Sequence, residues 1–239
     1  MLILSIDSSC QTAQTALIRD GMVLCEFAVR DNRTHSVKLM PAIQMLFSYS
    51  GTALPEVDLI AAVNGPGSFT GLRIGVAAAK AIAFARQIPV VGINTLDALA
   101  HCAGGRGLTC AVIDARNAQV YCGIYRDGLR ISDYMAVSAA ELCLYLKRQY
   151  PEEPVVFCGD GVPANREIFC KMLDGQYQEV PSELLLGRAS SAGVLAEQAF
   201  RTAQKNGAEG VYDAFSLEVS YLRKSQAERL KEEAHGHSL

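Results

Sequence analysis

An internal repeat constrains this chain more than any other feature. Shifting the numbering by 107 lays Ile6-Asp7 on Ile113-Asp114, Leu17 on Ile124 and Arg19-Asp20-Gly21 on Arg126-Asp127-Gly128, without a gap. Either stretch reads as an apolar strand ending in Asp, a turn, a second strand, an Asp-Gly hairpin and a third strand. A strand-ending Asp and a hairpin at one shared offset mark a duplication. A length of 239 residues suits two small lobes better than one large core. The run Gly104-Gly105-Arg106-Gly107 reads as the linker between them. The expected boundaries are 1–104 for an N-terminal lobe, 105–212 for a C-terminal lobe, and 213–239 for a closing segment and tail.

The rest of the pattern fills out the lobes. In the first half, strands are expected over 2–6, 12–18, 22–29, 59–63 and 90–93, and helices over 34–49, 70–86 and 95–101. Val37, Met40, Ile43 and Leu46 or Phe47 carry the spacing of the first helix, and Gly51 follows as its stop. In the second half, a helix over 139–149 precedes a strand over 155–158 and helices over 164–172 and 190–205. Short strands interleaved with helices imply an α/β class, with a mixed sheet covered by helices in each lobe. From Gly207 the chain turns polar, with extended structure expected near 220–222 and a frayed or helical tail beyond.

Composition excludes several function classes. The formal net charge is −3, and the densest basic cluster, Arg223, Lys224, Arg229 and Lys231, is offset by Glu228, Glu232 and Glu233. A protein that grips nucleic acid by itself shows a basic patch or stripe instead. The eight cysteines form no C-x-x-C pair, and most sit in apolar runs, where a thiol acts as a small hydrophobe. The opening MLILSIDSS has no basic start and meets Asp7 early, unlike a signal peptide or a membrane span. A reduced, cytoplasmic protein with no membrane association is expected.

The catalytic inventory is thin. The four histidines are His35, His101, His235 and His237, and no H-x-x-x-H, H-E-x-x-H or G-x-S-x-G pattern occurs. No catalytic residue and no metal ligand set is assigned. Asp7 with Ser8, and Asp114 with Arg116, end strands at turns. Either each Asp faces a cleft where turn amides meet phosphate, or each merely caps its own turn. Gly65-Pro66-Gly67-Ser68-Phe69-Thr70-Gly71-Leu72-Arg73-Ile74-Gly75 joins a strand to a helix, with Ser68 or Thr70 placed to cap it. It lacks the Gly-Lys-Ser/Thr ending of a phosphate-binding P-loop. Gly67 and Ser68 join Asp7, Ser8, Asp114 and Arg116 as candidate phosphate or nucleotide contacts. Gly67, Gly71, Gly75, Ala79 and Ala83 recur every four residues, a nearly bare helix face. Glycine inside a helix costs about 1 kcal/mol against alanine, so another element, internal or on a partner, must approach closely.

These residues together resemble the TsaB (YeaZ) family. The Asp7-Ser8-Ser9 opening, His35 followed by Leu39-Met40-Pro41-Ala42-Ile43, the 65–75 loop, the block 89–100, Ile113-Asp114-Ala115-Arg116 with Val120-Tyr121, and Tyr221-Leu222-Arg223 all stand in the family's order. Departures are Gln119 for a usual Glu, Val219 for a usual Pro, and Ala81-Ile82 for a Gly-Leu pair. The resemblance implies a two-lobed, duplicated sugar-kinase/Hsp70/actin-like (ASKHA, RNase H-like) fold. It implies a non-catalytic subunit that binds and activates the TsaD transferase, alongside the TsaE ATPase, in forming N6-threonylcarbamoyladenosine at position 37 of tRNA. In TsaD a histidine pair holds a metal; the matching positions here are Thr95 and Leu99, which are poor ligands. The resemblance places the partner interface on the first two helices, hence on His35, Leu39, Ile43, Gly71, Ile74, Gly75, Ala78 and Ala79. It further implies no cofactor of its own, ATP or ADP only at a composite site with partners, a homodimer when alone, and tRNA contact only through the complex. The competing class is a small ATPase or kinase of the same fold acting alone, with Gly159-Asp160-Gly161 among its contacts.

Overall fold

Each half of the chain opens with the same hairpin. In the computed structural model, which describes residues 1–207 and 213–222, Asp20-Gly21 and Asp127-Gly128 join strands in matching conformations. Their φ angles are 49° and 79° in the first and 49° and 80° in the second. Positive φ at both central residues is the turn that matches strand twist, and glycine at the second position makes it cheap.

The first lobe runs β1 (Leu2–Asp7), β2 (Ala13–Arg19), β3 (Met22–Val29), α1 (His35–Ser50), β4 (Leu59–Gly65), α2 (Phe69–Arg86), β5 (Val90–Asn94) and α3 (Thr95–Cys102). The second runs β6 (Leu108–Asp114), β7 (Gln119–Arg126), β8 (Leu129–Arg130), β9 (Met135–Ser138), α4 (Ala139–Gln149), β10 (Val155–Cys158), α5 (Gly161–Met172), β11 (Tyr177–Glu179) and α6 (Ala189–Lys205). The first sheet has the order β3-β2-β1-β4-β5, and the second β11-β10-β6-β7-β8 with β9 also on β7. In both, hairpin-linked strands pair antiparallel while strands reached over a helix pair parallel, as short and crossover connections require. The duplication read from the residues is therefore a duplication of topology.

The second lobe departs in one place. The expected third strand is broken: β8 is two residues long, and β9 resumes the pairing with β7. Between them Ser132 turns inward, and its Oγ accepts the Ile124 N–H at 3.0 Å. A side chain thus replaces a ladder partner, which alternation of apolar residues cannot reveal. The short edge strand β11, parallel to β10, was also not marked by the sequence pattern.

Helices at the centre are exchanged between lobes. Leu96, Leu99 and Ala100 of α3 sit in the core of the second lobe. Ala189, Ala192 and Ala196 of α6 pack on the first sheet, against Ile3, Ile18 and Val91. Ser5 Oγ donates to Ala189 O at 2.6 Å, and a Cβ at Gly193 would overlap Ile18. Asp97 of α3 accepts the hydroxyls of Tyr125 and Tyr134, each at 2.7 Å. The segment 213–222 returns to the first lobe: Ala214 and Leu217 enter its core, and Ser220 N donates to Asn64 O at 2.8 Å. The tail expected past Leu222, with Arg223, Lys224, Arg229, Lys231, His235 and His237, lies outside the described residues. Among the described residues no helix is long and apolar enough to cross a membrane.

Candidate functional site

The loop 65–71 and α2 close over the first strand-end turn. Ser68 caps α2, its Oγ accepting Gly71 N at 3.2 Å. Ser68 N donates to Ser9 O at 2.6 Å, and Ser8 Oγ donates to Gly71 O at 2.7 Å. A Cβ would overlap Ser9 O at Gly67, Ser8 O at Gly71 and Ser8 Oγ at Gly75. The element that approaches the bare helix face is thus internal: it is the β1–β2 turn. Further along, Ala79 and Ala83 pack in the core. Gly71, Gly75 and Ala79 are buried, while Ile74 and Ala78 are half-buried beside the same core.

The two strand-end aspartates behave alike. Asp7 Oδ1 accepts Ser9 N at 2.8 Å, and Asp114 Oδ1 accepts Arg116 N at 2.8 Å. Each carboxylate caps its own turn. They also lie near each other across the lobes, because Asp160, which follows β10, takes Asp114 N on its Oδ1 at 3.2 Å and faces Asp7 and Cys10. Burial raises the carboxyls of Asp7 and Asp160 above their ordinary range and pushes the Cys10 thiol up further. Three successive non-glycine residues, Arg116, Asn117 and Ala118, hold φ of 68°, 53° and 53° at the cleft's second-lobe side.

Between these turns lies a cleft of about 550 Å³. Cys10, His35, Gly67, Ser68, Asp114, Arg116 and Asp160 line it, with Gln11, Asp31 and Arg33 along the first-lobe rim. Asp7 and Ser8 are buried beneath the lining rather than on it. A phosphate needs free N–H donors, yet Ser9 N, Ser68 N and Arg116 N are already engaged. His35 lies half-buried with Nδ1 unpartnered; burial and the nearby Lys38 charge hold its pKa below the ordinary value. Its Cδ2 abuts Gly71.

Helix α1 is rotated from the face that the Val37-Met40 spacing suggested. Leu39, Ala42, Ile43 and Leu46 are buried in the first-lobe core, whereas Val37 and Met40 face solvent. The outer row is Val37, Pro41, Met45 and Tyr49, four apolar residues at i+4 spacing, all exposed. Val37 is 53%, Met45 44% and Tyr49 74% accessible. Pro41 removes one helical N–H donor, and it does so on the solvent side.

Thr95 and Leu99 are buried in α3, and among the described residues no cluster of three His, Cys, Asp or Glu side chains could hold a metal. All eight cysteines are free; Cys110, Cys122, Cys143 and Cys158 fill the core of the second lobe, while the buried Cys10 lines the cleft. Two features were invisible to motif reading: the buried Lys38, whose identity suggests a surface residue, and the Asp97 link to two tyrosines, which depends on the exchange of α3.

The geometry has counterparts among known proteins. The family model described as TsaD, tRNA N6-adenosine threonylcarbamoyltransferase, matches residues 23–231. The solved structure of YeaZ from Pseudomonas aeruginosa superposes with a TM-score of 0.73 at 27% identity, covering 92% of this chain and 99% of that one. A ROK family protein from Streptococcus pneumoniae, 10% identical with a TM-score of 0.51 over 84% of this chain and all of its own, shares the fold alone. The duplicated sugar-kinase/Hsp70/actin-like fold is thereby shown. The Bacillus subtilis protein named tRNA threonylcarbamoyladenosine biosynthesis protein TsaB is 32% identical over 244 aligned residues, spanning 95% of this chain and 96% of its own. With the YeaZ superposition, that near end-to-end match establishes that the chain belongs to the TsaB (YeaZ) family.

Proposed function

We propose that this protein is a non-catalytic subunit of tRNA threonylcarbamoyladenosine biosynthesis that docks on, and activates, a TsaD-type transferase. The observation that carries the reading is the exposed apolar row Val37, Pro41, Met45 and Tyr49 on α1. A contiguous apolar face of this kind on a helix marks a protein contact. It lies on one of the two helices that the family resemblance assigns to the interface, but on the side opposite Leu39 and Ile43. The relatives' names supply the pathway, and the matching family model bears the transferase's name.

Two observations support the reading that the chain has no chemistry of its own. The strand-end aspartates are engaged as turn caps, and α3 carries Thr95 and Leu99 rather than ligands. A self-sufficient ATPase or kinase needs phosphate donors that the engaged amides do not supply. Any ATP or ADP is held at a composite site, with Arg33 and Arg116 facing it from this chain and the remaining donors from partners. A TsaE-type ATPase completes the cytoplasmic assembly, tRNA is met only through the complex, and the same α1 row pairs two copies when the transferase is absent.

Reconstitution tests this directly. Purified transferase, ATPase, tRNA and an activated threonylcarbamoyl donor should yield modified tRNA with this protein and little without it. The protein alone should hydrolyse no ATP above background. Modification at full rate in its absence, or steady ATP turnover by the lone chain, contradicts the proposal.

A further inference from the structure

Lys38 is the one buried lysine among the described residues, with its side chain only 1% accessible. It sits on α1 between two exposed neighbours, Val37 of the apolar row and, one turn on, Pro41. An ammonium so placed gives up water and must be repaid by acceptors. It finds three: Gln11 O at 3.4 Å, Asp31 O at 3.3 Å and Asp31 Oδ1 at 3.4 Å. Gln11 belongs to the β1–β2 turn and Asp31 to the β3–α1 loop, and both lie on the rim of the cleft. Asp31 in turn holds Arg33, through Arg33 N at 2.9 Å and Arg33 Nε at 2.7 Å. A single side chain therefore ties the helix with the apolar row to both rim segments and, through Asp31, to an arginine that faces the cleft.

We propose that Lys38 is a positioning residue that couples docking on the α1 row to the conformation of the cleft rim. The inference rests on the docking reading above and adds a route to it. A partner seated on Val37, Pro41, Met45 and Tyr49 fixes the helix. Lys38 carries that constraint to Gln11 and Asp31, and Asp31 carries it to Arg33. The link is reciprocal, because a coupling free energy between two sites acts equally in both directions. Whatever the assembled cleft binds meets a rim already set by the partner.

The test is amide hydrogen exchange of the full-length protein, free and mixed with the transferase subunit, with complex formation measured on the same samples. In the wild-type protein, complex formation should slow exchange at residues 9–12 and 30–34 by about tenfold, although these lie off the apolar row. In Lys38→Met, which keeps the bulk and removes the charge, the complex should still form while this slowing falls below about twofold. Should Lys38→Met fail to fold, Asp31→Ala, which removes one acceptor and the hold on Arg33, should reduce the slowing by at least half. A merely structural lysine would loosen the rim equally in free and bound protein and leave the bound-to-free ratio unchanged; that result overturns the proposal. A complex that forms without any slowing in the wild type overturns it too, while the docking reading stands. Absence of any complex overturns both.

Discussion

At the scale of single residues, the turn 116–118 and the carboxyl of Asp7 make separable claims. Ala118 is exposed and held at φ 53°. A non-glycine residue pays about 1–2 kcal/mol in that region, partly offset in any glycine variant by a freer unfolded chain. Ala118→Gly should therefore stabilise the protein by about 0.5–1 kcal/mol in urea unfolding; a loss of stability would show that the Ala118 methyl makes a contact of value. Asp7 is the opposite case. Burial raises its carboxyl in the folded state, so the native protein holds a proton that the unfolded chain has released. Folding stability must then fall as pH climbs above the ordinary aspartate value of 3.8. Asp7→Asn keeps an acceptor for Ser9 N and removes the titration. Its stability relative to wild type should improve from pH 4 to pH 7 in paired urea titrations. A difference that does not change with pH would mean that Asp7 gains enough from its turn to cancel its burial.

At the scale of elements, α2 and the β1–β2 turn form one packed unit, and the glycines can be distinguished by what they touch. A methyl at Gly75 meets the Ser8 hydroxyl, whereas one at Gly71 meets the Ser8 backbone. Gly71→Ala and Gly75→Ala should each destabilise by about 1–3 kcal/mol, the usual penalty for overpacking. Ser8→Gly should recover much of the Gly75→Ala loss and little of the Gly71→Ala loss, read as coupling in a double-mutant cycle. Equal recovery at both sites would contradict the assigned contacts. The four-residue period of this stripe was legible in the sequence, and so was the need for something to approach it. What approached was not, because a helical period identifies a face without identifying its neighbour. Helix α1 shows the same limit. It carries apolar residues both inside, at Leu39, Ile43 and Leu46, and outside, at Val37, Met45 and Tyr49. Spacing alone cannot say which row the sheet takes.

At the scale of the molecule, the repeat at offset 107 anticipated the two sheets and their hairpins because each half must close its own sheet locally. The exchange of α3 and α6 was not legible, since it depends on contacts far apart in the chain, such as Asp97 with Tyr125 and Tyr134. In the sequence the interlobe cleft shows only as a pair of candidate turns and the run Gly159-Asp160-Gly161. The structure adds Cys10 to Asp114 and Asp160 there, while placing Asp7 and Ser8 beneath the surface. The outer face of α1 is an exposed apolar feature that neither lobe's core uses. The account therefore turns on whether that face binds the transferase. Isothermal titration of the TsaD-type subunit with wild-type protein, Met45→Asp and Leu144→Asp measures it; Leu144 is a still more exposed leucine on α4 of the other lobe, 60% accessible. A charge in the centre of a real interface costs about 2 kcal/mol or more. Met45→Asp should thus weaken binding by at least about tenfold while Leu144→Asp stays within about twofold of wild type. Equal affinity of Met45→Asp and wild type for the transferase would contradict the account.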